Sequence, residues 1–254
     1  MFNGVLINNV LRKFGLKISF TLDRHLDAND RTFFQIYEKC KIYTLTSLER
    51  MYSLYGAVEY IVRAGIPGDM VECGVWKGGS SMLMAAALLQ LNDSQRNIYL
   101  YDTYAGMTEP TEKDIDFLGY PTIKRWRDNQ RATFNQWVHS TLEETRYNLF
   151  RTGYPKEKLI FVEGRVEETI PKVTPNKIAV LRLDTDWHDS TYHELCYLFP
   201  KLSSYGVLII DDYDFFRGQR AAVGKYFKEN KINMLLNIVD GAARIGVKLP
   251  SEKI

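Results

Sequence analysis

The sequence predicts an α/β protein with a mostly parallel seven-stranded sheet, helices on both faces and an antiparallel last strand. Three observations lead there. Short β-branched-rich runs alternate with stretches of helical periodicity. The first run feeds a glycine-bearing turn, as ligand-binding α/β proteins require. Near the end, two apolar segments flank Asp240-Gly241, a hairpin dipeptide that forces the last strand to reverse.

The elements follow in order. From Ser47 onward, Leu48, Met51, Leu54, Tyr55, Val58, Ile61 and Val62 recur at the spacing of one helical face, and Gly65 and Pro67 stop it. Residues 70–73 predict a first strand and residues 80–91 the helix after its turn. Residues 97–101 form a second strand ending at Asp102, and residues 158–162 a third. Between them Ser140 and Glu143 have the spacing of a capping box for a helix running toward Gly153 and Pro155. Residues 177–183 and 207–210 read as the fourth and fifth strands, separated by a helix over 191–202. A helix over 219–228 precedes the hairpin segments 234–239 and 243–249.

A length of 254 residues fits one domain over residues 1–254, in which residues 1–64 are expected to form a helical cap and residues 108–139 a lid. The 33 basic residues nearly balance the 31 acidic ones, so a net charge of +2 offers no field to hold nucleic acid. No apolar run is long enough to span a bilayer, although residues 5–14 have a weakly amphipathic pattern suited to a membrane surface. Cys40, Cys73 and Cys196 are an odd number in apolar surroundings, which suits buried free thiols and a cytoplasmic location.

The first strand runs into Glu72-Cys73-Gly74-Val75-Trp76-Lys77-Gly78-Gly79-Ser80. Gly74 allows backbone to approach a ligand closely, and Gly78 and Gly79 let the next helix start near the strand. In a dinucleotide fingerprint the second position after the first glycine is itself glycine, because pyrophosphate lies on it. Here it is Trp76. Glu72 would also repel phosphate and suits a ligand's amino end, while Asp102 stands where such folds place an acid for ribose hydroxyls.

Two acidic clusters end the fourth and fifth strands: Asp184, Asp186 and Asp189 with His188, then Asp211, Asp212 and Asp214. Converging carboxylates need a counter-charge, and oxygen-only donors select a hard cation such as Mg2+. Asp184 is the expected proton acceptor, with Asp186 and His188 as alternatives, and Asp189 and Ser190 also suit a helix cap. His139 is placed either in the lid or on a polar face.

GDMVECGVWKGGS, YDTYAGM, LRLDTD and IIDDY, with Tyr43-Thr44-Leu45 and Glu49-Arg50-Met51, make the chain resemble the macrocin O-methyltransferase family. The resemblance spans residues 40 to 227. It implies a class I methyltransferase (Rossmann-like) fold, S-adenosylmethionine as methyl donor, Mg2+ dependence and a sugar hydroxyl as acceptor. By the same resemblance Glu72, Gly74, Val75, Gly79 and Ser80 form the donor turn, and Asp102 and Thr103 lie at the ribose. Gly164, Arg165 and Val166 form the adenine-side loop, Thr44 and Leu45 cover the donor, and Asp184, Asp211 and Asp212 hold the metal. Two aromatics common in the family after this glycine are replaced by Arg165 and Val166. The expected partners are a small glycosylated acceptor and other copies of the chain. Two other functions use the same sheet: a nicotinamide-dependent sugar oxidoreductase, against which Trp76 and the hairpin speak, and a non-catalytic nucleotide-binding module, which leaves the acids without a task.

Overall fold

In a computed structural model, which describes residues 30–250, helix α1 (Arg31–Cys40) leads through a 3-10 turn (Lys41–Tyr43) to α2 (Leu48–Arg63). Ser47 caps α2 by accepting the Arg50 N–H, and Gly65 ends it in the left-handed region at φ 64°. The sheet strands are β1 (Asp69–Cys73), β2 (Ile98–Asp102), β3 (Leu159–Glu163), β4 (Ile178–Leu183), β5 (Leu202–Ile210), β6 (Asn237–Ile238) and β7 (Arg244–Val247). Their order is β3-β2-β1-β4-β5-β7-β6. The first five are mutually parallel, and β7 runs antiparallel to both β5 and β6. This is the predicted sheet, although the hairpin strands are shorter than the apolar runs that announced them.

Alternate residues of each strand feed opposite cores. Met70, Ile98, Leu100, Val180 and Ile209 pack with α2 and α3 (Gly79–Gln90) on one face. Val71, Tyr101, Leu181, Leu183, Leu208 and Ile210 pack with α7 (His188–Leu198) and α8 (Arg217–Glu229) on the other. Every residue of β4 is buried, as a central parallel strand must be. Two shorter helices between β2 and β3 are α4 (Ile123–Asn129) and α5 (Leu142–Phe150), and α6 (Val166–Thr169) follows β3.

Several expectations change in detail. The cap of α5 is Thr141, whose hydroxyl accepts the Glu144 N–H at 3.1 Å, one residue beyond the expected Ser140-Glu143 pair. Both registers have the S/T-x-x-E pattern, and Ser140 instead bonds Glu144 and Thr145 through its side chain. Helix α7 starts at His188 and yields at Leu198 to a 3-10 turn containing Pro200, so β5 begins at Leu202. Cys40 and Cys73 are buried free thiols, while Cys196 is only half-buried. Within the expected helical cap, α2 belongs to the helical layer of the sheet; the segment before residue 30, including the amphipathic stretch 5–14, lies outside the described residues. Among the described residues no helix is long and apolar enough to cross a membrane.

Residues 108–139 are organised rather than free. Besides α4, they carry antiparallel bridges between Ile115 and Pro121 and between Gln130 and Asn135. Asp114, 1% exposed, accepts the Thr111 N–H and the His188 N–H, so this segment caps α7. Trp137, Trp187 and Phe216 pin it to the body.

Candidate active site

The backbone ladder continues past the strands. Gly164 donates to the Asp102 carbonyl at 3.0 Å, Gly74 to Tyr101 at 2.9 Å, Asp184 to Cys73 at 2.8 Å and Asp211 to Leu183 at 3.0 Å. Gly164, Asp102, Gly74, Asp184 and Asp211 therefore share the carboxyl edge of the sheet, where the strand order reverses between β1 and β4. A cavity of about 300 Å³ opens over this edge. Thr44, Leu45, Glu72, Gly74, Val75, Ser80, Asp102, Thr103, Gly164, Arg165, Val166, Asp184, Asp211 and Asp212 all line it. Gly79 does not. Its role is steric, since a Cβ there would come within 2.6 Å of the Tyr43 carbonyl and exclude the segment that carries Thr44.

Gly74 sits at φ 84°, and a Cβ on it would overlap the Asp184 carbonyl oxygen. The turn is held by Asp102, whose Oδ2 accepts the N–H groups of Val75 at 2.7 Å and Trp76 at 2.9 Å while Oδ1 accepts that of Tyr104 at 2.7 Å. Burial raises the Asp102 carboxyl above its ordinary range against these three donors. The expected ribose acid is thus also the staple of the glycine turn. Trp76 adopts φ 49° and donates its indole N–H to the His139 carbonyl at 3.1 Å.

Two arginines organise the acids. Arg182, 2% exposed at the end of β4, lies 2.5 Å from Glu72 Oε1, 2.8 Å from Asp184 Oδ2 and 2.6 Å from Asp211 Oδ1. Its contact with Asp211 is an ion pair without hydrogen-bond alignment. Glu72, expected at a ligand's amino end, spends its other oxygen on Ser81. Arg50, in the first turn of α2, reaches Asp211 Oδ2 at 2.7 Å, Asp212 Oδ1 at 2.9 Å and Asp240 Oδ2 at 2.7 Å. Asp240 is brought to about 2: burial works against this, but the N–H groups of Ala243 and Ala242 and the Arg50 guanidinium outweigh it.

Asp186 is different. It is 8% exposed, holds φ 69°, and its Oδ1 has no hydrogen-bond partner. Burial first, then the neighbouring Asp212 and Asp211, push its carboxyl well above the ordinary range. Burial likewise raises Asp184, with Arg182 opposing, and raises Asp212, with Asp211 adding to the rise. One carboxylate oxygen each from Asp184, Asp186 and Asp212 lies within 4.8 Å of the others. The structure therefore groups Asp186 with Asp184 and Asp212 and turns both Asp211 oxygens to the arginines.

A second, outer cavity of about 770 Å³ shares Leu45, Trp76, Val138, Asp186, Asp212 and Phe215 with the first. Its far wall carries Trp137, Asn129, Gln136 and His139 from the 108–139 segment. His188 is turned away from both: its Nδ1 lies 2.6 Å from Asp189, and its ring stacks on Tyr192. Asp189 provides no cap for α7, whose first N–H is taken by Asp114 instead.

Sequence reasoning left Arg182, Arg50 and Asp240 without a role in the site. Arg182 carried a signal, because a cation inside the apolar run Ile178–Leu183 must find buried acids. Arg50 and Asp240, 190 positions apart, carried none.

A family model described as Macrocin-O-methyltransferase (TylF) matches residues 17–245. An 8-demethyl-8-(2,3-dimethoxy-alpha-L-rhamnosyl)-tetracenomycin-C 4'-O-methyltransferase of Streptomyces olivaceus is 33% identical over 209 residues, covering 82% of this chain and 76% of that protein. A demethyldecarbamoylnovobiocin O-methyltransferase of Streptomyces niveus is 30% identical over 184 residues, covering 72% and 67%. Among solved structures, the O-methyltransferase NovP superposes with a TM-score of 0.71 at 27% identity, covering 82% of this chain and 83% of that one.

Proposed function

This chain belongs to the macrocin O-methyltransferase (TylF) family and is an O-methyltransferase, and on that premise we propose that it transfers a methyl group from S-adenosylmethionine to a hydroxyl of a sugar-bearing small molecule, with Mg2+ at its acidic cluster. The observation that carries the reading is the sharing of Asp186 and Asp212 between the inner cavity and the outer one. The inner cavity suits the donor, flanked by the glycine turn and Asp102; the outer one, walled by Trp76, Trp137 and Phe215, suits a sugar-bearing acceptor. The relative named for a rhamnosyl-bearing substrate supports that acceptor class.

The residues fit a hard dication. Asp184, Asp186 and Asp212 offer oxygens within 4.8 Å of one another, and the Asp186 Oδ1 has no donor of its own. Mg2+ bound there would lower the pKa of an acceptor hydroxyl. S-adenosylmethionine supplies a sulfonium methyl open to in-line displacement.

The chain's own residues do the rest. Asp102 holds the Val75 and Trp76 amides and so shapes the donor floor. Leu45 and Trp76 line both cavities. The hydroxyl proton goes to Asp186, which borders both cavities and has no arginine on its free oxygen. Asp184, the acid expected for that step from sequence, borders only the inner cavity and spends Oδ2 on Arg182. The 108–139 segment forms the acceptor side.

Turnover with isotope-labelled donor, with and without a chelator, is the test. Activity should vanish on chelation and return with Mg2+, while calorimetry still detects donor binding. Asp186→Asn should lower the maximal rate at saturating Mg2+ by about 100-fold or more, the usual contribution of a general base. Full turnover in chelator ends the cation reading; an unchanged maximal rate ends the role of Asp186. Binding of a nicotinamide dinucleotide but not of S-adenosylmethionine ends the donor assignment.

A further inference from the structure

Three ion pairs converge on Arg50, and one of them ends on Asp212, an acid of the proposed cation site. Its Nη1 holds Asp211 at 2.7 Å and Asp212 at 2.9 Å, while its Nε is anchored to Asp240 at 2.7 Å. The anchor is itself fixed, because Asp240 Oδ1 accepts the Ala242 and Ala243 N–H groups and Oδ2 accepts the Ser47 hydroxyl. The other guanidinium, Arg182, is sunk in β4 and bound to Glu72 as well, so it has nowhere to go. Arg50 is the movable partner: its side chain is 15% exposed and lines the inner cavity.

We propose that Arg50 is a built-in competitor of the cation, the resident counter-charge that must release Asp212 when a dication settles among Asp184, Asp186 and Asp212. The proposal rests on the cation reading above. Asp212 Oδ1 cannot serve a guanidinium at 2.9 Å and a cation at its best, and two positive centres on one carboxylate repel each other. Asp240 keeps Arg50 close enough to return. The same anchor holds Ser47, the cap of α2, two residues after the Thr44–Leu45 segment that lines the inner cavity.

The experiment is direct binding of Mn2+, followed by its electron paramagnetic resonance signal, to ligand-free protein at mildly alkaline pH. Arg50→Met removes the competing charge, and Arg50→Gln removes it while keeping a donor for Asp240 in case the first variant folds poorly. Both should bind Mn2+ about tenfold tighter or more, the scale on which one adjacent charge shifts ion binding. Arg50→Lys, which keeps the charge, should stay near the unaltered protein. Equal affinity in all forms makes Arg50 a structural staple and overturns the proposal, as does weaker binding in the neutral variants. If neither the unaltered protein nor any variant binds Mn2+, the cation reading itself fails.

Discussion

Replacing Asp186 by Asn should stabilise the ligand-free protein while removing its activity. Asp186 is 8% exposed, and one of its oxygens has no partner. Like-charged oxygens of Asp184 and Asp212 stand no more than 4.8 Å from it, which at an effective dielectric of about 20 costs roughly 3.5 kcal/mol or more per pair before the arginines offset it. Arg182 and Arg50 both lower the Asp186 carboxyl's tendency to hold a proton, but burial and the neighbouring aspartates prevail. A net cost of about 1 to 2 kcal/mol survives this opposition, and Asn is a near-isostere that tolerates φ 69°. For a chain of this length that corresponds to a rise in Tm of about 2 to 8 °C. A carboxyl whose folded pKa is raised contributes stability below its unfolded value of about 3.9 and loses it as pH rises through the folded value. The advantage of Asn should therefore be small in acid and grow toward neutral and alkaline pH. Thermal unfolding followed by circular dichroism, in chelator and across pH, measures it; saturating Mg2+ should reverse the order by stabilising only the unaltered protein. A variant no more stable than the parent at neutral pH, or a gain independent of pH, would refute the reasoning.

Two further substitutions probe the donor edge. Gly74→Ala forces a side chain to φ 84° and into the Asp184 carbonyl oxygen, so it should lower Tm by several degrees and abolish donor binding in calorimetry. Asp102→Asn keeps one acceptor but turns an amide toward the Val75, Trp76 or Tyr104 N–H groups, so donor affinity should fall by about 1.5 to 3 kcal/mol together with Tm. Unchanged affinity with lowered Tm would confine Asp102 to stapling the turn.

The edge of the sheet was legible because its determinants are local. Alternating periodicity sets the strands, Gly74 and Gly78 mark positions at φ 84° and 88°, and an acid directly after a parallel strand has only the carboxyl edge to occupy. Asp102, Asp184, Asp211 and Asp212 could thus be assigned to one cavity before their distances were known. The short-range hairpin signal at Asp240-Gly241 likewise placed the reversed strand.

What the acids do to one another was decided only in three dimensions. From the sequence, adjacent aspartates without counter-charge demanded a cation; in the fold Arg182 and Arg50 already compensate Asp211, and the uncompensated oxygen belongs to Asp186. The reason is physical. A side chain's charge partners depend on which elements the core brings together, and Arg50 from α2 meets Asp240 from the β6–β7 turn solely because β7 inserts between β5 and β6. Local pattern determined where the acids stand, and tertiary packing determined which of them remain free to act.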